Sequence, residues 1–110
     1  MRCLLKIAIP VEIGNKGIMN GTLPTTIEGI LAEQNPEAVY FYEEDGKRTG
    51  LAVVDIKDSS QIPAIAEPWF LAFNARVEFH PAMNLQDLKN SAPGMQKAVQ
   101  NHRKMDAAAG

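Results

Sequence analysis

The stretch "AVYFYEEDGKRTGLAVVDI", Ala38 to Ile56, places Asp45-Gly46 between two runs rich in β-branched and aromatic residues. Asp-Gly suits a two-residue type I′ turn, in which both central residues need positive φ. Such a turn fixes a register. Glu44 then faces Lys47, and Glu43 faces Arg48, both opposite-charge pairs. Tyr42 faces Thr49, Phe41 faces Gly50 and Tyr40 faces Leu51. Side chains alternate along a strand. One face therefore carries Val39, Phe41, Gly50, Ala52, Val54 and Ile56. The other carries Tyr40, Tyr42, Thr49, Leu51, Val53 and Asp55. The small residues of the first face predict close packing of helices there.

Upstream of this hairpin, Leu4 to Val11 reads as a central strand with Cys3, Leu5, Ile7 and Ile9 on one face. Gly14 to Asn35 reads as helix, punctuated by Gly21 and Pro24. Thr25-Thr26-Ile27-Glu28 has the form of a capping box, and Asn35-Pro36 ends the segment. Downstream, Asp58-Ser59-Ser60 offers N-cap oxygens. Ile62, Ile65, Ala66, Trp69, Phe70 and Phe73 then recur at helical steps, with Pro68 inside the helix. Ala75 to Pro81 alternates as a strand, Val77 and Phe79 on one side, Arg76, Glu78 and His80 on the other. Asn84 onward predicts a short capped helix. A last helix starts near Ser91-Ala92-Pro93 and runs to about Lys104, with a frayed tail from Ala107. The order is β-α-β-β-α-β plus C-terminal helix, the ferredoxin-like pattern, an antiparallel α+β sheet of order 4-1-3-2 with helices on one face. We expect one domain over residues 1–83, with 84–110 as its helical extension.

Composition narrows the function classes. The chain has 110 residues, 45% of them hydrophobic and 22% charged, and a net charge of −2. These values fit a single soluble domain. No basic stripe predicts nucleic acid as a partner; His102-Arg103-Lys104 reads as a solvated helix face. The opening "MRCLLKIAIPVEIG" has no small-residue cleavage site and no bilayer-length apolar run, so it reads as a strand. Cys3 is the single cysteine, which excludes an internal disulfide and a zinc cluster. The expectation is a cytoplasmic protein that binds neither membrane nor metal and needs no cofactor.

If the helices cover Leu5, Ile7, Val54 and Phe79, the other sheet face is left bare. It holds Leu4, Lys6, Ala8, Tyr40, Tyr42, Leu51, Val53, Asp55, Arg76, Glu78 and His80. A contiguous patch with this much apolar surface marks a partner or ligand site. This arrangement resembles the dimeric α+β barrel superfamily, including its short bacterial members. The resemblance covers Arg2 to about Met83 and rests on element order, "EEDGKRTG" and "IPAIAEPWFLAFNARVEF". It implies that two subunits press their bare sheet faces together as a homodimer. It also implies a pocket between that face and the helices. Lactone isomerases, small cofactor-free monooxygenases, haem-degrading enzymes and ligand-sensing domains belong to the superfamily. No catalytic motif of these groups is matched, so the resemblance speaks to fold rather than activity.

The expected function is a small-molecule-binding or interaction module. The alternative is a cofactor-independent isomerase or monooxygenase acting on a small organic molecule, and a third reading is a regulatory ligand sensor. In the enzyme reading, His80 is the acid or base because its pKa lies near neutrality, with Glu78 to tune it. Lys6, Tyr40, Tyr42, Asp55, Arg76 and Trp69 are the candidate substrate-binding residues. Pro68 removes the bond to the Ala64 carbonyl, which either bends the helix around the sheet or opens a pocket rim beside Glu67 and Trp69.

Overall fold

The computed structural model describes the backbone over residues 1–109 and the side chains over residues 1–103. Four strands form one antiparallel sheet: β1 (Arg2–Ile9), β2 (Ala38–Glu44), β3 (Lys47–Asp55) and β4 (Arg76–Pro81). Their spatial order is β2-β3-β1-β4. Read from the β4 edge this is 4-1-3-2, compatible with the ferredoxin-like pattern.

The first crossover departs from the single helix of that pattern. Pro10 has no N–H for the ladder and ends β1 at Ile9, so the strand stops short of Val11. Helix α1 (Val11–Met19) starts at once. It turns at Asn20-Gly21, where Gly21 takes φ +76°. Asn20 Oδ1 accepts from the Thr22 backbone N–H and hydroxyl. Helix α2 (Leu23–Gln34) then begins ahead of the expected capping box, with Pro24 in its first turn. Pro24 suits that position, where an N–H has no partner to lose. Thr25 is therefore inside the helix and donates its hydroxyl to the Thr22 carbonyl instead of capping. Asn35 closes α2 in the left-handed conformation, its N–H reaching the Leu31 carbonyl.

The hairpin takes the register that Asp45-Gly46 dictates, with Glu43 opposite Arg48 and Tyr40 opposite Leu51. Both turn residues have positive φ, 54° and 74°. The expected cross-strand ion pairs do not form. Glu43 accepts from the Gly46 N–H in the turn, and Glu44 reaches Lys6 on β1.

After β3, Asp58 and Gln61 make a reciprocal capping box around a single 3₁₀ turn. Helix α3 (Ile62–Phe73) follows and runs through Pro68. It buries Ala66, Trp69 and Phe73, while Ile62 and Phe70 lie at the edge of that stripe and are exposed. Beyond β4, α4 (Leu85–Asn90) and α5 (Ala92–Ala109) are separated only by Ser91. Helix α5 continues past the stop expected near Lys104; the end of the expected frayed tail, Gly110, lies outside the described residues. Among the described residues no helix is long and apolar enough to cross a membrane.

The core lies on one side of the sheet. Cys3, Leu5, Ile7 and Ile9 of β1 join Ala52, Val54 and Ile56 beneath Leu23, Ile30, Trp69 and Phe73 of the helices. The alternation buried-in, half-buried-out along β1 is complete.

Candidate functional site

Two sites face opposite ways from the sheet. The first is an apolar cavity of about 620 Å³ on the helix side, open to solvent. It exists because the helices do not roof the whole sheet. Helix α1 approaches β3 and α3 approaches β4, while β2 packs closely on β3 alone. Phe41, which alternation places under a helix, is therefore 59% exposed. Its ring lies over Gly50, about 3.5 Å from where a Cβ there would sit. Ile7 and Ile9 form the floor, Ile27 and Leu31 of α2 one wall, Val39 and Phe41 another, and Trp69 also lines it. Polar groups occur at Asn15, Glu43, Lys47 and Arg48.

The Trp69 indole is fixed from outside the cavity. Its Nε1–H donates to Gln34 Oε1 at 3.1 Å, and Gln34 Nε2 donates to the Ile65 carbonyl at 2.8 Å. Gln34 thus ties the end of α2 to α3 and satisfies a buried donor. No periodicity in the sequence marks Gln34, because its partners are more than thirty residues away.

The second site is a charged cluster on the helix-free face. Alternation places Lys6, Glu44, Glu78 and His80 there together, and β1 brings Lys6 opposite Glu78. Lys6 Nζ lies 2.5 Å from Glu44 Oε2 and 3.4 Å from Glu78 Oε2. Tyr42 donates its hydroxyl to Glu44 Oε1 at 3.1 Å. Arg76 lies 3.8 Å from Glu78, and His80 Nε2 lies 3.4 Å from Glu78 Oε1. The hydrogen bond to Glu44 raises the Lys6 pKa. That bond and the one from Tyr42 lower the Glu44 pKa. Partial burial, then the bond to Glu44, raises the Tyr42 pKa. A lysine held protonated in this way can orient an anion but cannot serve as a base or nucleophile at neutral pH.

The sequence-predicted site residues are thus divided between the two sites. Lys6, Tyr42, Arg76, Glu78 and His80 meet on the helix-free face. Tyr40 shares that face opposite Leu51 but joins no ion pair. Asp55 is drawn to the end of the sheet, where it binds the Met1 amine at 2.9 Å. Only Tyr42 and Trp69 of the eight line the apolar cavity. Most of the candidate residues thus lie on the His80 face, whereas this cavity lies on the other side of the sheet. Ile27, Val39, Phe41 and Arg48 line it, although the sequence pattern marks them only by a helix start, a sheet face or a hairpin register. Among the described residues no group of three His, Cys, Asp or Glu side chains is placed to hold a metal ion. Cys3 is 1% exposed, and burial raises its thiol pKa, so it behaves as a small apolar core residue. No protein-family model matches this chain, and no curated protein matches it.

Proposed function

We propose that this chain is a small-molecule-binding module whose ligand occupies the cavity between the sheet and its helices. The single observation that carries this reading is the cavity itself, about 620 Å³ lined mainly by apolar side chains. Ligand pockets are typically concave, apolar and supplied with few polar groups. The lining also argues for binding over catalysis. Its one carboxylate, Glu43, accepts from the Gly46 N–H in the turn, and His80 is on the opposite face. An isomerase or monooxygenase reading built on His80 and Glu78 requires a substrate on the helix-free face instead. The test is calorimetric titration with 1-decanol of the wild-type chain and of the Ile27→Trp, Val39→Phe double variant, with circular dichroism to establish that the variant folds. Saturable binding by the wild type, weakened about tenfold or more by filling the cavity, is expected. No saturable heat with the wild type, or equal affinity in a folded double variant, overturns the reading.

A second observation favours a homodimer built as in the dimeric α+β barrels. Tyr40 is 66% exposed, and Leu4, Leu51 and Val53 adjoin it by register on a face that α1, α2 and α3 do not cover. A second copy applied to that face removes this apolar surface from water. The same contact encloses the Lys6 cluster, whose carboxylates and cations are already mutually matched.

A further inference from the structure

We propose that the ligand of the apolar cavity is a monocarboxylic acid with an apolar body, seated with its carboxylate against Arg48. This rests on the cavity reading above and adds the chemical class. Three observations converge on it. First, the cavity lining carries two cations, Lys47 and Arg48, against one carboxylate, Glu43. Glu43 stands opposite Arg48 in the ladder, the natural partner for it, yet its carboxylate accepts the Gly46 N–H. Second, among the described residues Arg48 forms no ion pair, whereas Arg2 and Arg76 each face a carboxylate. A guanidinium presents a fork of donors that matches a carboxylate in a bidentate fashion. Third, Arg48 lies against α1 at a position without a side chain. A Cβ at Gly14 of α1 would lie 2.5 Å from Arg48 Nη1. The guanidinium therefore occupies the space that a side chain at this buried glycine would take, beside Asn15 at the cavity. The remaining lining is mainly hydrocarbon and aromatic, and its two hydroxyls, Tyr42 and Thr49, already donate to Glu44 and to the Lys47 carbonyl. This disfavours sugars and multiply charged anions, and a single apolar acid matches both halves of the site.

Trp69 is the only tryptophan and lines the cavity, so its fluorescence reports occupancy. The experiment titrates decanoate and, separately, 1-decanol at pH 7.5 into the wild-type chain and the Arg48→Gln, Arg48→Lys and Gly14→Ala variants. Arg48 is exposed, so its substitution is compatible with folding. Arg48→Gln is expected to weaken decanoate about tenfold or more, the loss of a charge-assisted pair, and to leave 1-decanol within about twofold. Arg48→Lys is expected to retain part of the decanoate affinity. Gly14→Ala displaces the guanidinium and is expected to weaken decanoate while sparing 1-decanol. Saturable binding of 1-decanol with a decanoate affinity indifferent to Arg48→Gln overturns the carboxylate assignment and leaves the cavity reading standing. Equal weakening of both probes by Arg48→Gln also overturns it. No saturable 1-decanol binding to the wild-type chain, whether or not decanoate binds, overturns the cavity reading and this inference with it.

Discussion

Gln34 shows what a single residue contributes that periodicity does not reveal. It accepts from the buried Trp69 indole and donates to the Ile65 carbonyl, joining two helices that cover the same side of the sheet. Gln34→Leu leaves the indole N–H unpaired where Trp69 is 2% exposed. A buried donor without an acceptor costs about 1–3 kcal/mol, so urea unfolding is expected to show a loss in that range, accompanied by a shift in Trp69 emission. Glu44 makes a second case. Its bonds from Lys6 and Tyr42 lower its pKa in the folded chain, so the native state holds the ionised form more tightly than the unfolded state does. That stabilisation is complete above the ordinary glutamate value of about 4.3 and is lost as pH falls through the lowered folded value. Glu37 beside Arg2 and Asp55 beside the Met1 amine behave in the same sense. Urea midpoints measured between pH 2.5 and 7 are expected to fall on the acid side, and less steeply in Glu44→Gln. An equal slope in the variant assigns the acid sensitivity to the other carboxylates with lowered pKa, Glu37, Asp55 and the Asp58 cap that accepts from the Ser60 N–H. Alternation predicted that Lys6, Glu78 and His80 share a face. It did not predict that Glu44 leaves its cross-strand partner Lys47 for Lys6, because that choice depends on which side chain reaches across an intervening strand.

At the scale of elements, the hairpin was the most legible part of the chain because its turn chemistry is local. Asp45 and Gly46 both take positive φ, and every pair from Ala38 with Val53 to Glu44 with Lys47 follows. Gly46→Val forces a β-branched residue into that conformation at a cost of about 1–2 kcal/mol or more. The expected outcome is a destabilised chain whose loss appears in the urea midpoint. Retained stability would show that the β2–β3 ladder, rather than the turn, dictates the register. The first crossover was less legible. Thr25 to Glu28 has the composition of a capping box, yet Pro24 suits a first helical turn even better and Asn20 takes over the preceding loop. Two valid local signals competed, and the one fixed by proline prevailed. The cavity is not legible in the sequence for a different reason. The pattern of Val39, Phe41, Gly50 and Ala52 gives the direction of each side chain but not the width of the helical layer above them. With the helices close to β1, β3 and β4, the β2 end of that face remains open.

The whole molecule is longer than its body requires. Its axes measure 65 × 29 × 23 Å and its radius of gyration is 19.3 Å, against about 13 Å for a compact domain of this size. Helices α4 and α5 account for the excess, since they pack on one another and not comparably on the sheet or on α1 to α3. They leave Leu85, Leu88, Met95 and Val99 exposed. Besides the open cavity, the described residues therefore present apolar side chains on the helix-free sheet face and on this arm, and these two surfaces make separable demands on assembly. If the sheet face forms the dimer, light scattering at micromolar concentration gives twice the 12.0 kDa chain mass. Removing residues 84–110 should leave that ratio unchanged, because the arm adds little to the packed body. Leu51→Lys places a charge in the middle of the sheet face, beside Lys6 and Tyr40 in register, and is expected to shift the full chain to monomer with the helical signal in circular dichroism retained. A monomeric wild type overturns the dimer. A dimer that survives Leu51→Lys but dissociates on removal of 84–110 transfers the interface to α4 and α5, and leaves the sheet face, with its Lys6 and His80 cluster, open to other partners.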